Sequence, residues 1–185
     1  MTSKKINKYI ICGTDRLGKS SLISNLKNKL GFHEVIHFGK PEKLQYYVDR
    51  YPSAEFHYQY NSFINAFKLL DSDVSIIFDR LHLGEYVYSP RYRGYDGSYV
   101  FDLEQEFNLE FNYSVKLILL TTSDWSFIQD DGESFDFARK DEEQLDFIQA
   151  FNYSVIPNKQ IINVCDGAGQ FKNSIDILNE VISDG

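Results

Sequence analysis

Apolar residues along this chain fall into two alternating patterns. Short runs rich in aliphatic and β-branched residues stand at Tyr9–Cys12, Val35–Phe38, Val74–Phe78, Val115–Leu120 and Ile161–Val164, each four to six residues long. A strand covered on both faces has no solvent side and shows no polar alternation, so runs of this length predict buried strands of a parallel sheet. Between them the apolar positions take helical spacing. These are Leu22, Leu26 and Leu30; Phe56, Tyr60, Phe63, Phe67 and Leu70; Leu145, Ile148 and Phe151; and Phe171, Ile175, Leu178 and Ile182. Gly31 reads as a helix stop and Ser53 as a helix start. The order βαβαβαβαβα predicts an α/β fold, a parallel sheet with helices on both faces. The pentapeptide FNYSV occurs at 111 and again at 151, each time before an expected strand, which is too little to define a repeat. No proline-rich or Gly/Ser-rich linker interrupts the pattern, so residues 1–185 are read as one domain.

Composition narrows the partners. The 185 residues suffice for a sizeable core, and 43% hydrophobic with 25% charged residues is the balance of an ordinary globular protein. A net charge of −8 gives no general attraction to nucleic acid, which leaves DNA or RNA open only as an acceptor recognised locally. The amino-terminal lysines lead into an apolar run of four residues, too short for a signal peptide or a membrane span. A cytoplasmic protein with no membrane partner is expected. Cys12 and Cys165 end apolar runs without zinc spacing and are expected as buried thiols, and His33, His37, His57 and His82 show no metal-ligand spacing. Nothing in these features decides between a monomer and a homodimer.

Chemistry enters with GTDRLGKS, residues 13–20, a full match to G-x-x-x-x-G-K-[ST]. It follows the first expected strand and opens the first expected helix. In that context glycines let successive N–H groups turn inward, and the helix amino terminus adds partial positive charge. Gly13, Thr14, Asp15, Arg16, Leu17, Gly18, Lys19, Ser20 and Ser21 are therefore expected around a nucleoside triphosphate. Lys19 would reach the β- and γ-phosphates, and the Ser20 hydroxyl would bind Mg²⁺.

The second window is SIIFDRLHLGEYVYSPRYRG, residues 75–94. Asp79 and Arg80 should stand at the carboxyl end of the third strand, where ligands of open α/β sheets gather. Asp79 suits Mg²⁺ held through water and Arg80 suits phosphate oxygens; the alternative is a plain salt bridge at a strand end. Arg91 and Arg93 lie in a loop bounded by Pro90 and Gly94, there either to close over phosphates or to face solvent.

A phosphate loop of the form G-x-D-R-x-G-K-S, with an Asp-Arg pair after the third strand, resembles thymidylate kinases that carry their catalytic arginine in this loop. The likeness is greatest to the compact thymidylate-kinase-like proteins of bacteriophages, in which a segment close to DRLHLGEYVYSPRYRG recurs. The resemblance implies the three-layer P-loop kinase fold with five parallel strands, ATP and Mg²⁺ as cofactors, and a small deoxynucleotide acceptor. It implies that Arg16 neutralises the transferring phosphoryl group, that Lys19, Asp79 and Arg80 complete the catalytic set, and that Asp15 contacts the acceptor deoxyribose. Acceptor contacts are further implied from Lys40, just past the second strand, and from Tyr88, with Arg80, Arg91 and Arg93 near a second phosphate. On the helix after Ser53, Phe56 can stack a base and Gln59 can pair with a pyrimidine edge, while most of the stripe Phe56, Tyr60, Phe63 and Phe67 is core. A lid over ATP is implied near 123–140, with Arg139 and Lys140 as its cations. The chain departs from the family after Asp-Arg: where a serine and an alanine-aromatic pair are usual, Gly84 and Val87-Tyr88 stand, beside Glu85.

The expected activity is transfer of the γ-phosphoryl group of ATP to a deoxynucleoside monophosphate, dTMP first. Two other acceptors fit the same residues, an unphosphorylated deoxynucleoside and a hydroxymethylated pyrimidine in a nucleotide or in DNA. A GTP-dependent switch would need D-x-x-G after the third strand and N-K-x-D near the end of a later one. The chain has Asp79-Arg80-Leu81-His82 and Asn158-Lys159-Gln160-Ile161 instead.

Overall fold

In the computed structural model, which describes residues 8–31, 33–39, 54–128 and 137–183, all five expected strands form. β1 (Lys8–Cys12), β2 (Glu34–His37), β3 (Ile76–Asp79), β4 (Val115–Thr121) and β5 (Lys159–Asn163) lie parallel in the order β2-β3-β1-β4-β5. The register sets His37 of β2 level with Asp79 of β3, and Ile11 of β1 level with both Asp79 and Ile118. Six α-helices accompany them among the described residues: α1 (Lys19–Leu30), α2 (Ala54–Asp71), α3 (His82–Tyr88), α4 (Tyr99–Glu106), α5 (Lys140–Tyr153) and α6 (Ser174–Ser183). No helix among the described residues is long and apolar enough to cross a membrane.

Side chains alternate between the two faces of a strand, and each face meets its own helices. Ile10 and Cys12 pack with Phe63, Phe67 and Leu70 of α2, Leu83 and Val87 of α3, Leu103 of α4 and Phe147 of α5. Tyr9 and Ile11 pack with Leu22 and Leu26 of α1 and with Leu178 and Val181 of α6. Each fully buried large apolar side chain contributes roughly 1.5–3 kcal/mol, so these two layers hold the sheet whose carboxyl edge carries the polar residues described below. Cys12 lies in the first layer, and burial pushes its thiol up to about 12.

Several elements differ from the sequence expectation. The third strand begins at Ile76, because Val74 lies exposed beyond the turn that ends α2. Phe171 is outside the last helix and pairs with Cys165 in an antiparallel bridge; α6 starts after Asn173, whose side-chain oxygen accepts the Ile175 N–H at 2.9 Å. The stretch from Ser89 to Arg93 is a π-helical turn rather than an open loop, closed by the Gly94 N–H donating to Ser89 O at 3.0 Å. α3 and α4 carry too few turns for their periodicity to be read in a sequence window. The helix start expected at Ser53 and the contact expected at Lys40 lie outside the described residues, as do residues 129–136 of the expected lid.

A buried contact between His82 and Glu104 ties the helices after β3 together. His82 opens α3 and Glu104 sits on α4, both fully enclosed, with Nε2 and Oε1 2.6 Å apart. Glu104 also accepts from Ser154 Oγ at 2.6 Å and from the Val155 N–H at 2.8 Å, just past α5. Burial by itself would raise the Glu104 carboxyl; the neighbouring His82 and these hydrogen bonds outweigh it and hold the carboxyl below its ordinary value. The two FNYSV copies serve different ends here. Ser114 donates to Asn112 Oδ1 and Phe111 is exposed, whereas Ser154 binds Glu104 and Phe151 is buried.

Candidate functional site

The loop between β1 and α1 is shaped by its backbone. Gly13 has φ 135°, and a Cβ there would stand 2.5 Å from the carbonyl oxygen of Leu120, so only glycine lets the chain leave β1 this close to β4. Leu17 is buried in the layer with Leu22 and pins the loop from below. Gly18, at φ 81°, turns the chain into α1, whose first residue is Lys19 and whose first turn holds no acidic residue. That leaves the α1 amino terminus open to an anion. Lys19 is 6% exposed; its Nζ donates to Gly13 O at 3.0 Å and Thr14 O at 2.6 Å and lies 3.5 Å from Asp15 Oδ1. Burial lowers the Lys19 ammonium, and the Asp15 charge offsets only part of that. Ser20 and Ser21 are exposed on the first helical turn.

Asp79 and Arg80 meet this loop, as the strand order requires. The Arg80 N–H donates to Ile11 O at 2.9 Å and its guanidinium donates to Asp15 Oδ1. His37, at the level end of β2, brings Nδ1 within 2.8 Å of Asp79 Oδ2. Buried polar atoms without a partner include Thr14 Oγ1, Asp79 Oδ1 and Arg80 Nε, all three in or beside the loop. Unsatisfied buried groups cost free energy, and their clustering suits a ligand that brings both acceptors and a cation. Arg16 is exposed at the loop with φ 68°, and Arg80 has φ 64°. An arginine held in the left-handed region costs about 1–2 kcal/mol, and two such residues in one place point to a constrained functional backbone.

The wall beside the loop is built by side chains. Tyr88 OH donates to Glu143 Oε1 at 2.9 Å, joining α3 to the first turn of α5. Glu143 is 4% exposed; burial raises its carboxyl, and the charges of Asp15, Arg91 and Lys19 all act on it. Burial, with Glu143 and Asp15 adding to it, likewise raises the Tyr88 hydroxyl. Arg91 donates to Asp146 and lies 3.2 Å from Glu142, while Arg93 donates to Glu85 and lies 3.5 Å from Glu55. Glu85 is enclosed and also accepts from Tyr95 OH at 2.8 Å and Tyr99 OH at 2.9 Å. Phe56 packs its ring against Tyr95 and Tyr99, and Gln59 is buried on the same helix, whereas Phe63 and Phe67 belong to the core.

On the other side, two contacts close the base of the segment between β4 and α5. The Trp125 indole N–H donates to Asp141 Oδ1 at 2.7 Å, and the Gln144 amide pairs with both the N–H and the carbonyl of Thr122. Arg139 donates to Glu142 at 2.7 and 3.0 Å. A groove of about 180 Å³ runs between the start of α1 and the segment before α6, lined by Leu17, Gly18, Ser21, Leu22, Phe171 and Ile177 among others.

The loop residues, Asp79 and Arg80 are thus brought together, and Tyr88 stands within electrostatic reach of Asp15. Arg91, Arg93 and Arg139 are engaged by carboxylates. The sequence reading missed His37 and Glu143. His37 lay inside the expected second strand Val35–Phe38 with nothing local to mark it, and Glu143 stands in an acidic run with no motif of its own.

No family model matches the chain, and no curated protein matches it by sequence. Among solved structures it is similar to the YorR protein of Bacillus subtilis in complex with phosphorylated GDP, at TM-score 0.64 and 17% identity over 95% of this chain and 94% of that one. Polyphosphate kinase 2 of Arthrobacter aurescens TC1 is a weaker likeness, at TM-score 0.49 and 15% identity over 84% of this chain and 60% of that one. What the chain shares with YorR at this identity is the fold; in this chain it is a five-stranded parallel α/β sheet with helices on both faces, as its apolar pattern predicts.

Proposed function

We propose that this chain is a P-loop kinase that moves the γ-phosphoryl group of ATP, taken as its Mg²⁺ complex, to a deoxynucleoside monophosphate, dTMP first. The observation that carries the reading is the phosphate loop, with Lys19 Nζ held on two loop carbonyls beside the open amino terminus of α1. Phosphoryl transfer asks a protein mainly for positioning and charge neutralisation, and these residues supply both. Loop N–H groups and the α1 terminus bind the phosphates, and Lys19 leaves the carbonyls of Gly13 and Thr14 for a phosphate oxygen. Ser20 and Asp79 are the residues to hold Mg²⁺; the partnerless Asp79 Oδ1 fits an ion or its water. Arg16 neutralises charge that develops on the transferring group. Arg80 exchanges Asp15 for the acceptor phosphate, which frees Asp15 for the sugar hydroxyl. The groove along Leu22 and Phe171 receives the ATP base, and the wall of Phe56, Gln59 and Tyr99 receives the acceptor base. That YorR was solved with phosphorylated GDP supports nucleotide binding by this fold.

One observation favours a second acceptor class. Arg91 and Arg93 are held by carboxylates, which reduces the positive charge available to a second phosphate and suits an uncharged hydroxyl acceptor, either a deoxynucleoside or a hydroxymethylated pyrimidine in a nucleotide or in DNA. ATP consumption against dTMP, the other deoxynucleoside monophosphates, thymidine and hydroxymethylated DNA decides between them. Faster turnover of dTMP than of thymidine is expected. Faster thymidine turnover overturns the monophosphate reading, and preference for the modified DNA over every free nucleotide assigns the chain to DNA.

A further inference from the structure

Helix α5 touches both sides of the site. On one side Asp141 takes the Trp125 indole and Gln144 pairs with Thr122; on the other, Glu143 takes the Tyr88 hydroxyl and Asp146 takes Arg91. Glu142 and Asp146 are four apart, and Glu143 and Asp146 three apart, so all three can face the same neighbour. That neighbour is the segment from Tyr88 to Arg91, at the end of α3 and in the π-helical turn.

Arg91 is the best enclosed arginine of this contact, its side chain 7% exposed. Its Nε donates to Asp146 Oδ2 at 3.1 Å, its Nη2 donates to the same oxygen, and Nη2 lies 3.2 Å from Glu142 Oε1. A guanidinium recognises phosphate through the same planar fork that here meets two carboxylates. Arg91 and Arg139 are balanced by Asp146 and the shared Glu142, which leaves no net attraction for a further anion. We propose that Arg91 is a positioning residue rather than a phosphate ligand: it ties α5 to the π-helical turn and so keeps Glu143 beside Tyr88 and the phosphate loop. The wall and α5 then behave as one body.

This inference rests on the kinase reading, and its test has a readout that does not. Trp125 is the chain's single tryptophan and bonds the first turn of α5, so its emission reports where that turn lies. The experiment compares wild type, Arg91→Ala, Asp146→Asn and the double variant in steady-state kinetics and in tryptophan emission. Each single change is expected to lower kcat by about ten- to a hundredfold, because the wall beside Asp15 and the phosphate loop loses its position. Acceptor KM is expected to stay within about threefold, the double variant to be no worse than the weaker single, and all three to share a shifted emission. A raised acceptor KM in Arg91→Ala, with Asp146→Asn unchanged in kcat and emission, overturns the proposal and makes Arg91 a phosphate ligand. Asp146→Asn keeps the shape of a partly exposed helical residue, so it remains informative should Arg91→Ala fail to fold. If wild type transfers no phosphoryl group, the kinase reading fails, and the emission of the variants still decides whether the tie exists.

Discussion

The phosphate loop and the wall beside it are built by different means. In the loop the decisive contacts span a few positions, Lys19 reaching back six residues to Gly13 and five to Thr14. In the wall they span 55 positions, from Tyr88 to Glu143 and from Arg91 to Asp146. The loop is made of backbone, fixed by Gly13 against Leu120 and by Leu17 in the core. The wall is made of side-chain charges, each of which keeps its place only while its partner keeps its own. A site of the first kind should fail chemically when altered and stay folded; a site of the second kind should fail by losing its shape.

The largest expected effect tests the loop. Lys19→Ala should abolish phosphoryl transfer, because it removes the ammonium expected at the β- and γ-phosphates, and the fold should survive because α1 and β1 pack through Leu22, Leu26 and Ile11. Circular dichroism and turnover measured together check this; unchanged turnover in a folded variant would break the assignment. Arg16→Gly separates charge from backbone. It should cost at least about 10²-fold in kcat with a much smaller change in ATP affinity, since a loop guanidinium acts mainly on the transition state. Glycine also relieves the positive φ at this position, so thermal stability should rise slightly while activity falls. Near-normal kcat would make Arg16 a surface charge and shift attention to Arg139.

The smallest effect tests the support beneath the wall. Glu104→Gln keeps the shape but removes the charge that meets His82, and should cost about 1–3 kcal/mol at neutral pH. The Glu104 carboxyl sits below its ordinary 4.5 in the folded chain, so between those values the unfolded chain binds more protons. Its contribution is therefore present above pH 4.5 and lost as pH falls through the folded value. Urea unfolding at neutral and acid pH should show the gap between wild type and Glu104→Gln narrowing on acidification; a gap independent of pH would remove Glu104 from the account.

Much of the framework was open to reading from the chain alone. Five strands, α1, α2 and α5 follow from apolar periods long enough to register, and the phosphate loop follows from glycines and a lysine at fixed spacing after a strand. These are local properties, set by sterics and by the alternation of buried faces within a few residues. The short helices between β3 and β4 escaped because one or two turns carry no measurable period. The partners of Asp15, Arg91 and Arg93, the burial of Glu143, and the meeting of His37 with Asp79 were decided only when the sheet order brought distant segments together. A charge in a sequence states what it can bind, but which opposite charge reaches it depends on distances that the packed layers fix.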